Sequence, residues 1–144
     1  MESGREDERL LEMKKPPEGG RGKTMKLDYD LIRELLFITE ENSDGESLLK
    51  DELYLSKLSD KSKARLVRYH LKFLHDVDYI QCKLTVKNIY RPIDITPKGR
   101  SYLDSIRNDN VWSKVKTTFA EKAGDMSFDV VKVIATNIIM DMLH

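Results

Sequence analysis

An α+β domain, mostly helical and carrying one β-hairpin, is what this sequence predicts, and three observations predict it. Apolar residues recur at three- and four-residue spacing over residues 28–42, 60–77 and 127–143, the repeat of a helix with one buried face. Two β-rich runs, YIQCKLTV and IYRPIDIT, meet near Lys87-Asn88 as the arms of a hairpin do. A length of 144 residues, 40% of them apolar, is enough for one core without disulfide or metal support.

Residues 1–24 mix charges with Pro16-Pro17 and Gly19-Gly20 and hold almost no apolar residues after Met13. Ordering them would cost entropy with little burial in return. They are expected to form a disordered extension, with Met25 an alternative start and 25–144 the single folded domain. The first helix follows Asp28 as N-cap, with Leu31, Ile32, Leu35, Leu36 and Ile38 on one stripe, and Asn42-Ser43-Asp44-Gly45 stops it. Residues 46–59 carry five leucines that need burial, as a short strand, a short helix or both. The second firm helix is the stretch DKSKARLVRYHLKFLHDVDYI. After the hairpin, in which Pro92 marks an edge or kinked strand, Thr96-Pro97 reads as N-cap and N1 of a third helix. That helix runs towards Gly124, with Asn108-Asp109-Asn110 as the place where it bends or breaks. Ser127 caps a last helix that is apolar nearly all round, which predicts that it is sandwiched within the fold or against a second copy.

Formal charge is zero, but unevenly spread. Residues 57–100 hold 11 Lys/Arg against 4 Asp/Glu, whereas residues 1–56 hold 9 against 15. A central basic block makes a local field, and local fields select partners. Cys82 is the sole cysteine, so a disulfide framework is excluded, and a reducing, cytoplasmic setting is expected. No signal-peptide pattern and no apolar run of membrane-spanning length is present.

Within the basic block, Lys61, Arg65, Arg68 and Lys72 follow one another at spacings of four, three and four. At ~100° per residue they fall within about 60° on a helix, opposite Leu66, Val67, His70, Phe73, Leu74 and Val77. Lys63 is a further candidate DNA contact, and Lys83, Lys87 and Arg91 follow on the hairpin. The pattern fits double-stranded DNA, whose phosphates attract such a ridge while arginines reach guanine edges. An acidic protein partner and an ordinary solvated face are the competing readings. Hairpin-tip lysines equally serve to discourage edge pairing.

His70, centred on the apolar face, reads as a core histidine donating one hydrogen bond, with a pH sensor as the alternative. His75 is badly spaced to share a metal with it, and no cysteine pair or HExxH spacing appears, so no metal or cofactor is expected. Cys82 in a strand reads as a small buried apolar residue. No nucleophile elbow or phosphate-cradling glycine loop is found, so neither an enzyme nor a small-molecule substrate is inferred. Asp109, Asn110 and Trp112 read as a capped turn whose indole packs on a helix end, with a binding role the lesser alternative.

The order helix, short connection, helix ending HLKFLHDVDYI, hairpin, then ITPKGRSYLDSI resembles a winged helix, with two further C-terminal helices. More closely, MKLDYDLIRELL, YHLKFL and NDNVWSKVKTTFAEKAGDMSFDVV resemble a prokaryotic and phage family known as domain of unknown function 2513, over about residues 25–143. The resemblance implies a winged helix-turn-helix-like fold and a phage or prophage setting, and no mechanism. Asp78 stands where the winged helix has a helix-exit glycine, and Asp tolerates the left-handed conformation needed there. The expected function is a non-enzymatic DNA-binding regulator, dimerising through residues 127–143. The alternative is a protein-interaction module that engages an acidic host protein.

Overall fold

The computed structural model of the chain describes residues 26–121 and 126–143. Among them are six helices and one two-stranded antiparallel hairpin: α1 (Tyr29–Asn42), α2 (Asp51–Lys57), α3 (Ala64–Asp76), β1 (Ile80–Leu84), β2 (Tyr90–Ile95), α4 (Pro97–Ser105), α5 (Asp109–Glu121) and α6 (Phe128–Met142). The protein is therefore α+β and mostly helical. The expected extension over 1–24, and the end of the third helix at Gly124, lie outside the described residues.

The first helix α1 is the centre of the packing and touches α2, α3, β2 and α4. Its N-terminal amides are satisfied where Asp28 Oδ1 accepts from the Leu31 N–H at 3.0 Å. Leu31, Ile32, Leu35 and Leu36 face inward, and Thr39 Oγ1 lies 2.7 Å from the buried Tyr54 hydroxyl of α2. Residues 46–59 resolve into a tie and a helix. The Leu49 N–H donates to the Pro92 carbonyl at 2.8 Å, beside Ser43 Oγ donating to the Ile93 carbonyl at 2.6 Å. The segment thus flanks β2 before α2 begins.

α3 starts at Ala64, three residues after Lys61, with Lys63 as N-cap lacking a side-chain cap bond. Lys63 itself is extended, and Lys61 and Ser62 lie outside the helix. At the other end Asp78 takes φ 66°, the left-handed conformation expected of it. The strands pair from Ile80↔Ile95 to Leu84↔Tyr90, with an irregularity at Gln81/Cys82, and Asn88 at φ 60° completes the turn. Thr96 closes the base of the hairpin: its hydroxyl donates to the Asp78 carbonyl at 2.6 Å and accepts from the Gly99 N–H at 3.0 Å. Gly99 is required there, because a Cβ would stand 2.0 Å from the Tyr79 carbonyl oxygen.

The third predicted helix is two helices. α4 ends at Ser105, and Asn108 restarts the chain, its Oδ1 accepting from Asn110 N–H at 2.8 Å and Val111 N–H at 3.1 Å. The break comes at Asn108-Asp109-Asn110, where the sequence places it, and Asn108 supplies the cap. α6 packs on α4 and α5 through Val131 and Ala135. Val130, Val133 and Met140 remain exposed, so the helix is covered on one side only, not sandwiched within the fold.

Candidate functional site

Of the cations expected on one helical ridge, the structure keeps three on α3. Arg65, Arg68 and Lys72 are exposed on it, whereas Lys61 and Lys63 lie in the connector that feeds its N-terminus. The ridge is also partly neutralised. Arg68 Nη1 meets Asp51 Oδ2 at 3.0 Å, and Lys72 Nζ meets Asp76 Oδ2 at 2.8 Å. That hydrogen bond, with the charge behind it, raises the Lys72 pKa. Asp76 is visible in the sequence as an i, i+4 partner, but Asp51 is not. It stands 17 residues before Arg68 and is brought there by the packing of α2 on α3.

The hairpin cations join this surface. Arg91 Nη1 lies 3.4 Å from Asp51 Oδ1, close enough to pair but with no hydrogen bond made by that nitrogen. Lys83 stands opposite Arg91 in the strand register, and Lys87 lies at the exposed turn. Lys72 Nζ lies 5.6 Å from the Tyr90 ring centroid, and His75 stacks on the same ring at 4.8 Å. The exposed side of α3 and the outer edge of the hairpin are therefore contiguous. Lys61, Lys63, Arg65, Lys83 and Lys87 are all exposed, and none has a carboxylate partner among the described residues.

The buried face of α3 is structural. His70 is fully buried; its Nε2 accepts from the Asp28 N–H at 2.9 Å and its Nδ1 faces the Leu66 carbonyl at 2.9 Å. Those partners select the neutral tautomer with the proton on Nδ1. The residue donates one hydrogen bond, as expected, and also accepts one. Cys82 is half-buried, and burial, with a lesser contribution from the Asp76 charge, pushes its thiol up to about 12. It is a thiol rather than a thiolate at neutral pH. Among the described residues, no group of three or more His, Cys, Asp or Glu is placed to hold a metal ion.

The tryptophan segment is a dock between helices. Trp112 Nε1 donates to Asp30 Oδ1 at 2.7 Å, and Lys116 Nζ reaches the same oxygen at 3.0 Å. Burial raises the Asp30 pKa, but the hydrogen bonds from Trp112 and Lys116 outweigh it and hold the carboxyl below its ordinary value. Arg33 binds the α4–α5 corner through the carbonyls of Ile106 and Arg107 and the carboxylate of Asp109, and lies against Phe37 and Trp112. The indole thus packs against the N-terminal half of α1, which its sequence neighbours did not reveal.

A family model described as "Hypothetical protein (DUF2513)" matches residues 26–125. A protein of Haemophilus influenzae described as an uncharacterized protein is 33% identical over 123 residues, spanning 83% of this chain and 99% of its own. No solved structure matches significantly.

Proposed function

The chain belongs to the DUF2513 family of hypothetical proteins, and on the surface just described we propose that it is a non-enzymatic double-stranded DNA-binding protein of winged-helix type. The order α1, α2, α3, hairpin supports that reading, with α3 as recognition helix and the hairpin as wing. The observation that carries it is the set of five exposed cations without carboxylate partners among the described residues, Lys61 and Lys63 in the connector, Arg65 in the first turn of α3, and Lys83 and Lys87 on the hairpin. A recognition helix uses its N-terminal residues on base edges, which suits Arg65, while lysines beside it serve the backbone. Lys72 takes a phosphate by exchanging Asp76, since an exposed ion pair contributes only about 0–1 kcal/mol, whereas Arg68 stays on the largely covered Asp51 carboxylate. A cytoplasmic regulator of phage or prophage genes is the role that the resemblance of the sequence suggests.

Replacing Lys61, Lys63, Arg65, Lys83 and Lys87 together with Gln should abolish tight duplex binding while leaving the thermal transition in place. If all five contact phosphates, the log–log salt slope falls by about 4.5, at about 0.9 per contact. A wild-type protein with no salt-dependent duplex affinity at about 50 mM salt overturns the proposal.

A second reading rests on the hairpin tip, where Val86 is fully exposed and Leu84 largely so among the lysines. Apolar tips ringed with positive charge suit an acidic protein surface. Partners retained from host lysate after nuclease treatment favour this reading; partners lost with the nucleic acid favour DNA.

A further inference from the structure

Asp51 is placed unlike any other carboxylate on the basic surface. It sits in the first turn of α2, its side chain only 15% exposed, with Arg68 of α3 on one oxygen and Arg91 of β2 on the other. Three elements distant in sequence therefore meet on one charge. Arg91 is itself 22% exposed, and its Nη1 is buried without a hydrogen bond. A guanidinium in that position is held mainly by the opposite charge beside it, and removing that charge leaves a costly unpaired cation. Beside this strut, the hydrogen bonds that attach β2 to the chain before α2 among the described residues are those from the Leu49 N–H to the Pro92 carbonyl and from the Ser43 hydroxyl to the Ile93 carbonyl. Beyond Tyr90 the hairpin projects, with Leu84 and Val86 exposed.

We propose that Asp51 is a positioning residue that fixes the hairpin against α3 by bridging Arg68 and Arg91, and so sets whether Lys83 and Lys87 engage the same duplex as Lys61, Lys63 and Arg65. The second half rests on the DNA reading above. The consequence has an unexpected sign. Simple electrostatics says that removing a carboxylate from a surface facing a polyanion tightens binding and frees two arginines for phosphates. A bridge says the opposite: Arg91 swings out, the hairpin loses its fixed angle, and its lysines no longer add to the helix contacts.

Two measurements on Asp51→Asn test this, both in the full chain. The first uses spin labels at Glu41→Cys on α1 and Leu84→Cys on the hairpin, in a Cys82→Ser background. The inter-label distance distribution should broaden on Asp51→Asn and recover in Asp51→Glu. The second is a duplex salt titration. The slope should fall by about 1.8, the share of two hairpin lysines, with affinity more than about tenfold weaker at 0.1 M salt. Adding Lys83→Gln and Lys87→Gln should then change nothing further. If Asp51→Asn fails to fold, Arg91→Gln removes the other end of the bridge and is expected to behave alike. An unchanged distance distribution overturns the bridge and leaves the DNA reading intact. A broadened distribution with tighter binding or a steeper slope overturns the link between hairpin angle and affinity. A broadened distribution with a wild type that ignores DNA keeps the bridge and removes the DNA reading.

Discussion

Carboxylates hold this protein together at points where hydrogen bonds converge on them, and that has a direction in pH. Asp44 accepts from the backbone N–H groups of Ser47 and Glu46 and from the Ser47 hydroxyl, in that order of effect, which draws its pKa from 3.8 down to about 2. Glu40 is lowered chiefly by its hydrogen bond from Arg107, with Arg100 adding its charge. A carboxyl with a folded pKa below its unfolded one contributes stability above the unfolded value and loses it as pH falls through the folded value. The melting temperature is therefore expected to fall steadily between about pH 4 and pH 2, the interval set by Asp44. Asp44→Asn should lower the melting temperature at neutral pH and flatten part of that descent. An unchanged acid limb in this variant argues that the Asx turn at 44–47 adds no stability. Residue-scale reading of the sequence succeeded where chemistry was local. Asp28 and Thr96 as caps, Asp78 in the left-handed region and His70 in the core all follow from type and spacing. Asp51 was missed because nothing near it in the chain marks it as the partner of Arg68 and Arg91.

At the scale of elements, helices were legible wherever a stripe ran unbroken, and the break in the third was legible from its Asn108-Asp109-Asn110 run. Its apolar residues keep helical spacing on both sides of 106–108, but Ile106 is fully buried, and Asn108 offers its side chain as a new cap. Folding α5 back brings Trp112 onto Asp30 and Asp109 onto Arg33. α3 was misread at its start: the charge periodicity extends to Lys61, but Ser59 is tied to Glu34 and the helix begins only after the extended Lys63. Element docking also yields a test. Phe128, the first residue of α6, contacts the rings of Tyr29, Phe73, Tyr79 and Tyr102 with centroids 4.6–5.8 Å away. Phe128→Ala deletes all four contacts and should destabilise the protein by about 3 kcal/mol, near the low end for large-to-small aromatic changes because the ring is not fully enclosed. Urea unfolding measures this; a loss below about 0.5 kcal/mol would show that α6 is held by Val131 and Ala135 alone.

For the whole molecule, the covered side of α6 and its bare side raise the question of a second copy. Val130, Val133, Asn137 and Met140 lie at spacings of three, four and three on the exposed side. Such spacing would suit the seam of a helix pair, in which an Asn favours a defined register by meeting its counterpart. A homodimer through residues 127–143 is accordingly expected to sediment as a dimer at high micromolar concentration. Val133→Glu should return it to monomer without moving the helical content. A wild type that sediments as monomer throughout removes the dimer. The architecture itself, mostly helical with one hairpin, was predictable from pattern alone; the mutual placement of α3 and the hairpin was not, since it depends on Asp51, Tyr90 and Arg91 meeting in space.

The four rings around Phe128 all belong to residues 29–102, so a ribosome delivers the receptacle well before the plug. Synthesis at about 5–20 residues per second leaves the interval from Tyr102 to Phe128 at roughly 1–5 s. Throughout that interval the chain lacks the side chain that packs among those four rings. A chaperone that binds aromatic surface has its best opportunity then, and a message broken before codon 128 would leave the rings permanently without it.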